Sequence, residues 1–381
     1  IDLPKPNHII MKTNITILLI AATCFLAIEA KAQVVFEKVD SHVPFTEIIS
    51  EIELVPLASD TVNMLRSEIR CKHGYCPVPD VPIHSIGPEI IVTEDAFILP
   101  DPGQDRIYRY SLDGKFMNSI GSTENEDQMT LNTQLYDGNI HVFYTLPDVA
   151  ACYRTDGTLI SSEKIEDAGF EGWMTKEGRL SWYGYGSGRP GRIGLWKDND
   201  STTFLPTDAK VLYLDLNVPI FTRSGKDVLF IDGTRSTVMQ YRKGKVREHI
   251  DIDLGEFEIN DSYYTHDNSM EAAMEMMSKP FGLVERYVLD GKYGFAEVTV
   301  QDQTVNEYYG ICRKGKWIWF SPGIPNIHPF VSSFKTIKGK TIYAIINPDI
   351  LDNMQEELKA KISTVLKEKP DDFIIAKIHL K

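Results

Sequence analysis

A hairpin phrase that recurs at a nearly fixed interval constrains this chain more than any other feature. The stretch YRYSLDGKFMNSIG, residues 108–121, reads as a strand, an Asp-Gly turn and a second strand. That is the strongest short-range hairpin signal a sequence carries. Before it, EIIVTEDAFILPDPGQDR supplies a strand, an acidic turn at Glu94-Asp95 and another strand. Residues 89–121 therefore read as four short strands, A to D. The order then repeats. A–B turns fall at Asp137-Gly138, Lys176-Glu177-Gly178, Ser224-Gly225, Asp290-Gly291 and Lys338-Gly339. C–D turns fall at Asp156-Gly157, Asp198-Asn199, Lys243-Gly244 and Lys314-Gly315.

From Gly114 the C–D turns step by 43, 42 and 45 residues, to Gly157, Asn199 and Gly244. A four-stranded unit with a period of ~40–45 residues is a β-propeller blade. The step to Gly315 is 71 residues, and its excess holds NSMEAAMEMMSKP, residues 268–280, a short Met-rich helix stopped by Pro280. The last unit has A and B in FKTIKGKTIYAII and C in DDFIIAKIHLK, but no D. An unassigned strand, SEIELVPL at residues 50–57, is expected to pair with the C-terminal strand and complete a sixth blade. Closure of this kind removes two open sheet edges. A generic β-sandwich explains short strands, but neither the period nor the leftover strand. The expected fold is all-β, a six-bladed propeller of four-stranded blades with two short helical insertions.

The phrases IYRYSLDGKFMNSIG, EIELVPL and IIAKIHLK resemble the six-bladed β-propellers that Bacteroides-type bacteria export in numbers, which are in turn similar to NHL-repeat propellers. The resemblance covers about residues 45–381. It implies the fold and export, and it brings no catalytic motif.

Residues 1–10 carry no pattern and read as upstream sequence. From Met11, a Lys12 n-region, the apolar run ITILLIAATCFLAI and Ala30-Lys31-Ala32 read as a signal peptide, residues 11–32, leaving one domain over 33–381. The run is shorter than the ~20 apolar residues of a spanning helix, and no later segment qualifies. A lipoprotein signal at Cys24 fits less well, because Ala21-Ala22-Thr23 precedes it. The expected location is periplasmic or extracellular. Cleavage removes three Lys and two acidic residues, leaving 37 basic and 52 acidic side chains and a net charge of −15. Such a surface repels nucleic acid and anionic lipid.

Cys71 and Cys76 bracket KHGY, and export favours a disulfide between them. A metal site using both thiols and His73 would need further ligands at metal spacing, which the sequence does not offer. Cys152 and Cys312 sit in strand-like runs, where a thiol usually serves as a small buried hydrophobe. No cofactor or metal is expected.

In a propeller the A–B and C–D turns share one face, and the B–C loops and D–A connections share the other. Every elaboration here belongs to the second class: residues 58–88 with the cysteine loop, the Met-rich helix, and DILDNMQEELKAKISTVLKEKP between the last B and C strands. The last has apolar Ile350, Leu351, Met354, Leu358, Ile362, Val365 and Leu366 at helical spacing, with Pro370 beyond, and serves best as a cover for the blade edge. Scaffolds carry function on variable loops, so this face is expected to bind.

The most unusual loop is WYGYGSGRPGR, residues 182–192. Tyr183 and Tyr185 offer stacking platforms, and Arg189 and Arg192 offer bidentate anion contacts. The plainer reading is a Gly-rich connection with its aromatics packed on a neighbouring blade. Trp173, Arg106, Tyr144, Arg235 and His328 lie in or beside other loops of that face. DIDLGEFE, residues 251–258, lacks the ligand order of a calcium loop and is expected to form the exposed face of strand D in blade 4. No zincin, nucleophile-elbow or Walker motif occurs. The sequence thus points to a monomeric, non-catalytic module that binds a glycan, a peptide or an envelope protein. The alternative is a propeller lyase or hydrolase acting on glycans or lactones at the axial mouth.

Overall fold

The computed structural model describes residues 33–36, 45–58, 90–101, 106–121, 129–145, 148–167, 169–184, 187–198, 200–206, 220–233, 235–320, 334–346, 356–365 and 373–381. The signal-peptide residues, Cys71, Cys76, Tyr185 and His328 lie outside them.

The N-terminal region supplies β1 (Gln33–Val35), α1 (Phe45–Ile48) and β2 (Ile49–Pro56). Blade 1 is β3 (Ile91–Val92), β4 (Ala96–Asp101), β5 (Arg106–Ser111) and β6 (Phe116–Ile120). Blade 2 is β7 (Met129–Tyr136), β8 (Asn139–Thr145), β9 (Val149–Tyr153) and β10 (Leu159–Lys164). Blade 3 is β11 (Glu171–Met174), β12 (Arg179–Trp182), β13 (Gly191–Lys197) and β14 (Asp200–Pro206). Blade 4 is β15 (Phe221–Ser224), β16 (Asp227–Ile231), β17 (Thr237–Arg242) and β18 (Lys245–Asp253). The helices α2 (Ser262–Thr265) and α3 (Ser269–Met277) then precede blade 5, which is β19 (Phe281–Asp290), β20 (Tyr293–Asp302), β21 (Thr304–Arg313) and β22 (Lys316–Phe320). Blade 6 holds β23 (Phe334–Lys338), β24 (Thr341–Ile346) and, after α4 (Glu356–Val365), β25 (Ile374–Leu380).

The fold is a six-bladed β-propeller. Its ring is sealed where β2 pairs antiparallel with β25, from Ile49 opposite Leu380 to Pro56 opposite Ile374. The first strands of neighbouring blades lie against one another, β7 beside β11, β15 beside β19 and β19 beside β23, so strand A faces the axis.

Local chemistry explains the hairpins. Asp137-Gly138, Lys243-Gly244 and Lys314-Gly315 each place two residues at positive φ, the mirror-image turn that matches strand twist. Gly114 is required twice over. Its φ is +85°, and a Cβ there would lie 2.0 Å from Pro56 O of the closing strand. The backbone seals the same spot, because Ala58 N donates to Gly114 O at 2.8 Å.

The core is distributed between blades as packed apolar faces. Phe295, Ile311 and Phe320 of blade 5 meet Ile342, Ala344 and Ile374 of blade 6. Val55, Ile345 and Ile375 of blade 6 meet Phe97 and Tyr108 of blade 1, and Ile98 and Ile120 meet Ile140 and Val142 of blade 2. Trp182 and Ile193 of blade 3 meet Phe221 and Phe230 of blade 4. Ile362 of α4 is fully buried in the cluster of blades 5 and 6, so this helix covers a blade edge. Cys312 is buried and Cys152 half-buried, both as free thiols inside strands.

One expectation needs correction. Residues 251–253 do not present an exposed outer face. β1 pairs with them in parallel, Gln33 opposite Asp251 and Val35 opposite Asp253, as a fifth strand on blade 4. Ile252 is fully buried, and residues 255–257 form a single 3-10 turn. The C-terminal end of β18 is thus covered by β1, which becomes the edge strand of this sheet and is only three residues long, as suits an edge.

Candidate functional site

The axis is held by a seam of buried polar groups, each spanning from one innermost strand to the next. Asn132 Nδ2 donates to Gly172 O at 2.9 Å and to Glu171 Oε1 at 3.0 Å. The Glu171 carboxylate accepts from Ile220 N at 2.6 Å and Phe221 N at 3.1 Å. Thr222 Oγ1 donates to Tyr287 O at 3.1 Å. Arg286 donates to Phe334 O and, at 2.7 Å, to Lys335 O. Outside this buried set, the exposed Lys338 Nζ links blade 6 to blade 1 by donating to Thr93 O at 3.0 Å. Most of these bonds go to backbone atoms of the neighbouring blade, whose strands pair only within their own sheet, and a buried polar group without a partner is costly.

Two buried ionisable side chains stand beside the Arg286 link of the seam. Glu297 stands opposite Arg286 in the β19–β20 ladder, and Lys335 follows on β23. Burial pushes the Glu297 carboxyl up to about 7, and burial pulls the Lys335 ammonium down to about 7. Tyr309, deeply buried opposite Glu297, is pushed up by burial as well. Among the described residues no three His, Cys, Asp or Glu side chains gather so as to hold a metal. Cys152 Sγ lies 3.7 Å from His141 Nε2, but burial pushes that thiol up and that imidazole down. The pair rests as thiol and neutral imidazole, which is not an activated nucleophile.

The loop of blade 3 is closed on itself. Tyr183 is buried, and its hydroxyl accepts from Trp196 Nε1 at 2.6 Å. Arg189 is half exposed, paired to Asp167 at 2.8 Å with its guanidinium 5.6 Å from the Tyr183 ring. Arg192 makes a bidentate pair with Asp232 of blade 4, at 2.8 and 2.7 Å, with side chains only 11% and 5% exposed. It ties two blades together. Trp173 and Tyr144 are buried between blades, and Tyr144 Oη lies 3.4 Å from Tyr153 Oη. Arg106 is exposed at the start of β5.

Arg235 leads elsewhere. It sits in the B–C loop of blade 4, stacks 4.1 Å over the Tyr264 ring and pairs with Asp261 at 3.0 Å. Both partners belong to the insertion between blades 4 and 5. There a cleft of about 360 Å³ opens between residues 256–263 and the C-terminal half of α3. Its walls include Glu256, Glu258, Tyr263, Glu275, Met276 and Lys279. Glu258 is fixed by Ser236 Oγ at 2.9 Å and Leu254 N at 3.0 Å. Burial pushes the Tyr263 phenol up, which keeps it a neutral hydrogen-bonding platform. Beneath, Phe36 from the N-terminal strand packs edge-on to Phe257, Tyr308 and Trp319, and Trp319 Nε1 donates to Val35 O at 3.0 Å. The added fifth strand is thus the foundation of the cleft.

The Met-rich helix is legible in sequence, but the cleft is not, because its second wall lies a dozen residues upstream in an irregular turn. The inter-blade ties did leave a signal. Asn132 with Gly172, Gln134 with Met174 and Arg192 with Asp232 are each 40 residues apart, one blade period.

No family model matches the chain, and no curated protein matches it in sequence. Among solved structures, a Bacteroides fragilis protein inferred to be exported superposes with a TM-score of 0.71 at 12% identity, over 92% of this chain and 100% of that one. A DUF4221 family member from Bacteroides vulgatus gives a TM-score of 0.48 at 8% identity, over 87% of this chain and 97% of that one. Virginiamycin B lyase from Staphylococcus aureus gives 0.40 at 11% identity, over 87% and 99% respectively. At such identities the likeness is one of fold, and the first of the three carries it. The resemblance to exported Bacteroides-type propellers therefore holds at the level of architecture. No helix among the described residues is long and apolar enough to cross a membrane.

Proposed function

We propose that the protein is an exported, monomeric binding module that takes its ligand, a glycan, a peptide or an envelope protein, on the face bearing the B–C loops and D–A connections. The observation that carries this reading is the cleft of about 360 Å³ under the α2–α3 insertion. It offers a phenol, three carboxylates and an ammonium around a concave surface, the mixture of apolar platform and few polar groups that ligand sites use. Arg235, the half-exposed Arg189 and Arg106 belong to loops of the same face, and Tyr185 and His328 are proposed as contacts on sequence grounds.

A glycan and peptide array probed with the protein tests the reading, with hits repeated on Tyr263→Ala. The expected result is a ligand class whose affinity drops at least about tenfold in the variant, the loss of one aromatic anchor. Turnover of an array sugar would argue for a lyase or hydrolase instead, and hits untouched by Tyr263→Ala would remove the cleft from the site.

A further inference from the structure

The helix α3 is built with its apolar side partly turned outward. Met270, Met274 and Met277 recur at helical spacing and are 68%, 54% and 55% exposed. Ala272 and Met276 instead face the protein and the cleft, so the three methionines form a stripe on the opposite side of the helix. The rotation is fixed. Asn268 caps the N-terminus by accepting from Met270 N and Glu271 N, and Ala272 is 1% exposed beneath. Neither contact leaves room for the helix to roll its methionines inward.

Of the large apolar side chains exposed among the described residues, these three alone share one helix face. A stripe of exposed thioethers on a short, well-capped helix is costly to leave in water. Methionine is also the residue that adapts its shape to varied apolar partners. The surroundings state what kind of partner. Residues 254–279 contain six acidic side chains, Glu256, Glu258, Asp261, Asp267, Glu271 and Glu275, and a single Lys279. The whole chain has a net charge of −14. An anionic lipid surface and nucleic acid are repelled by such a field, whereas a cationic segment is steered toward it.

We infer that the outward methionine stripe of α3, with its acidic flanks, is a docking ridge for a basic amphipathic segment of a partner protein. The partner's apolar residues cover Met270, Met274 and Met277, and its Lys or Arg side chains meet Glu271 and Asp267. This rests on the reading that the loop-bearing face is the working one, and it assigns a partner class to the side of α3 that the cleft does not use.

The test is titration of the full chain with a synthetic Leu/Lys amphipathic peptide, its Leu/Glu counterpart and phosphatidylglycerol vesicles. The Leu/Lys peptide is expected to bind, more weakly as salt rises, and the other two are not. The triple change Met270→Ser, Met274→Ser, Met277→Ser and, separately, Glu271→Lys should each weaken binding by about tenfold or more. All four positions are exposed, so the global unfolding midpoint should move little. Because Glu271 also accepts from Asn268 Nδ2 at 3.2 Å, Glu271→Gln, which keeps that acceptor and removes the charge, should weaken peptide binding in the same direction with the helix cap intact. Equal binding of the two peptides, comparable binding of the vesicles, no binding of the Leu/Lys peptide, or affinity unchanged in the triple variant would each overturn the inference. Tyr263→Ala separates the two sites. It should weaken array binding at the cleft by at least about tenfold and leave peptide binding on the ridge, so either reading can fail without the other.

Discussion

Arg192 and Asp232 illustrate how a residue chosen as a binding candidate becomes a structural tie. The pair is bidentate and nearly dry, with the acid from the following blade. Removing one partner of such a pair strands a buried charge and costs about 3–5 kcal/mol. We therefore expect Arg192→Leu to lower stability in urea unfolding by that order, and the double change with Asp232→Leu to recover much of it. A loss under about 1 kcal/mol for the single change would contradict the tie. A second prediction concerns the buried trio of Arg286, Glu297 and Lys335. The Glu297 carboxyl rises from 4.5 to about 7, so its stabilising contribution is complete below pH 4.5 and is lost as pH rises through 7. The Lys335 ammonium falls from 10.5 to about 7, so its contribution is complete above pH 10.5 and is lost as pH falls through 7. Both contributions are weakest around neutrality, so thermal stability is expected to pass through a minimum there. Glu297 faces two cations, Arg286 and Lys335; arginine keeps its proton, and burial is the largest influence on the Lys335 ammonium. Lys335→Met should raise the midpoint near pH 7 and flatten the alkaline limb; a lowered midpoint there would refute the assignment.

At the scale of elements, the turns were legible and the long-range additions were not. The A–B and C–D turns carry their geometry in Gly, Asn and Asp, and Asp137-Gly138 and Lys314-Gly315 adopt the positive φ values that their sequences advertise. Gly114 adds a tertiary demand, since its hydrogen faces the closing strand. Gly114→Ala should destabilise by more than about 1 kcal/mol, beyond a backbone penalty alone, and increase hydrogen exchange in β2. Unchanged β2 protection would show that the contact is not required. By contrast, β1 is three residues long and pairs with a strand 218 residues away, Gln33 with Asp251. No local pattern announces such a pairing, because the energy comes from Phe36 entering an aromatic cluster built by another blade. Phe36→Ala should cost about 3 kcal/mol, and should loosen residues 254–257 in hydrogen exchange together with ligand binding at the cleft. The candidate site shares this limit. Helix α3 could be read from its spacing and cap, whereas the cleft exists only once the turn at 255–257 has been packed against Gly282, where an added Cβ would meet Phe257 at 3.3 Å.

For the whole molecule, the repeat period and the terminal strand left over were enough to count the blades, because a ring must close and each edge must find a partner. What the period cannot encode is which face works, since both faces inherit the same scaffold. That asymmetry enters through insertions, and all the described ones sit at B–C or D–A positions. The most direct measurement compares one array-selected ligand against variants on the two faces. On the loop-bearing face these are Tyr263→Ala and Arg189→Ala; on the opposite face they are Lys243→Ala and Lys314→Ala at exposed C–D turns. Weaker binding confined to the first pair is the predicted result. Loss of binding in the second pair, with the first pair unaffected, would place the working surface on the wrong side of the ring.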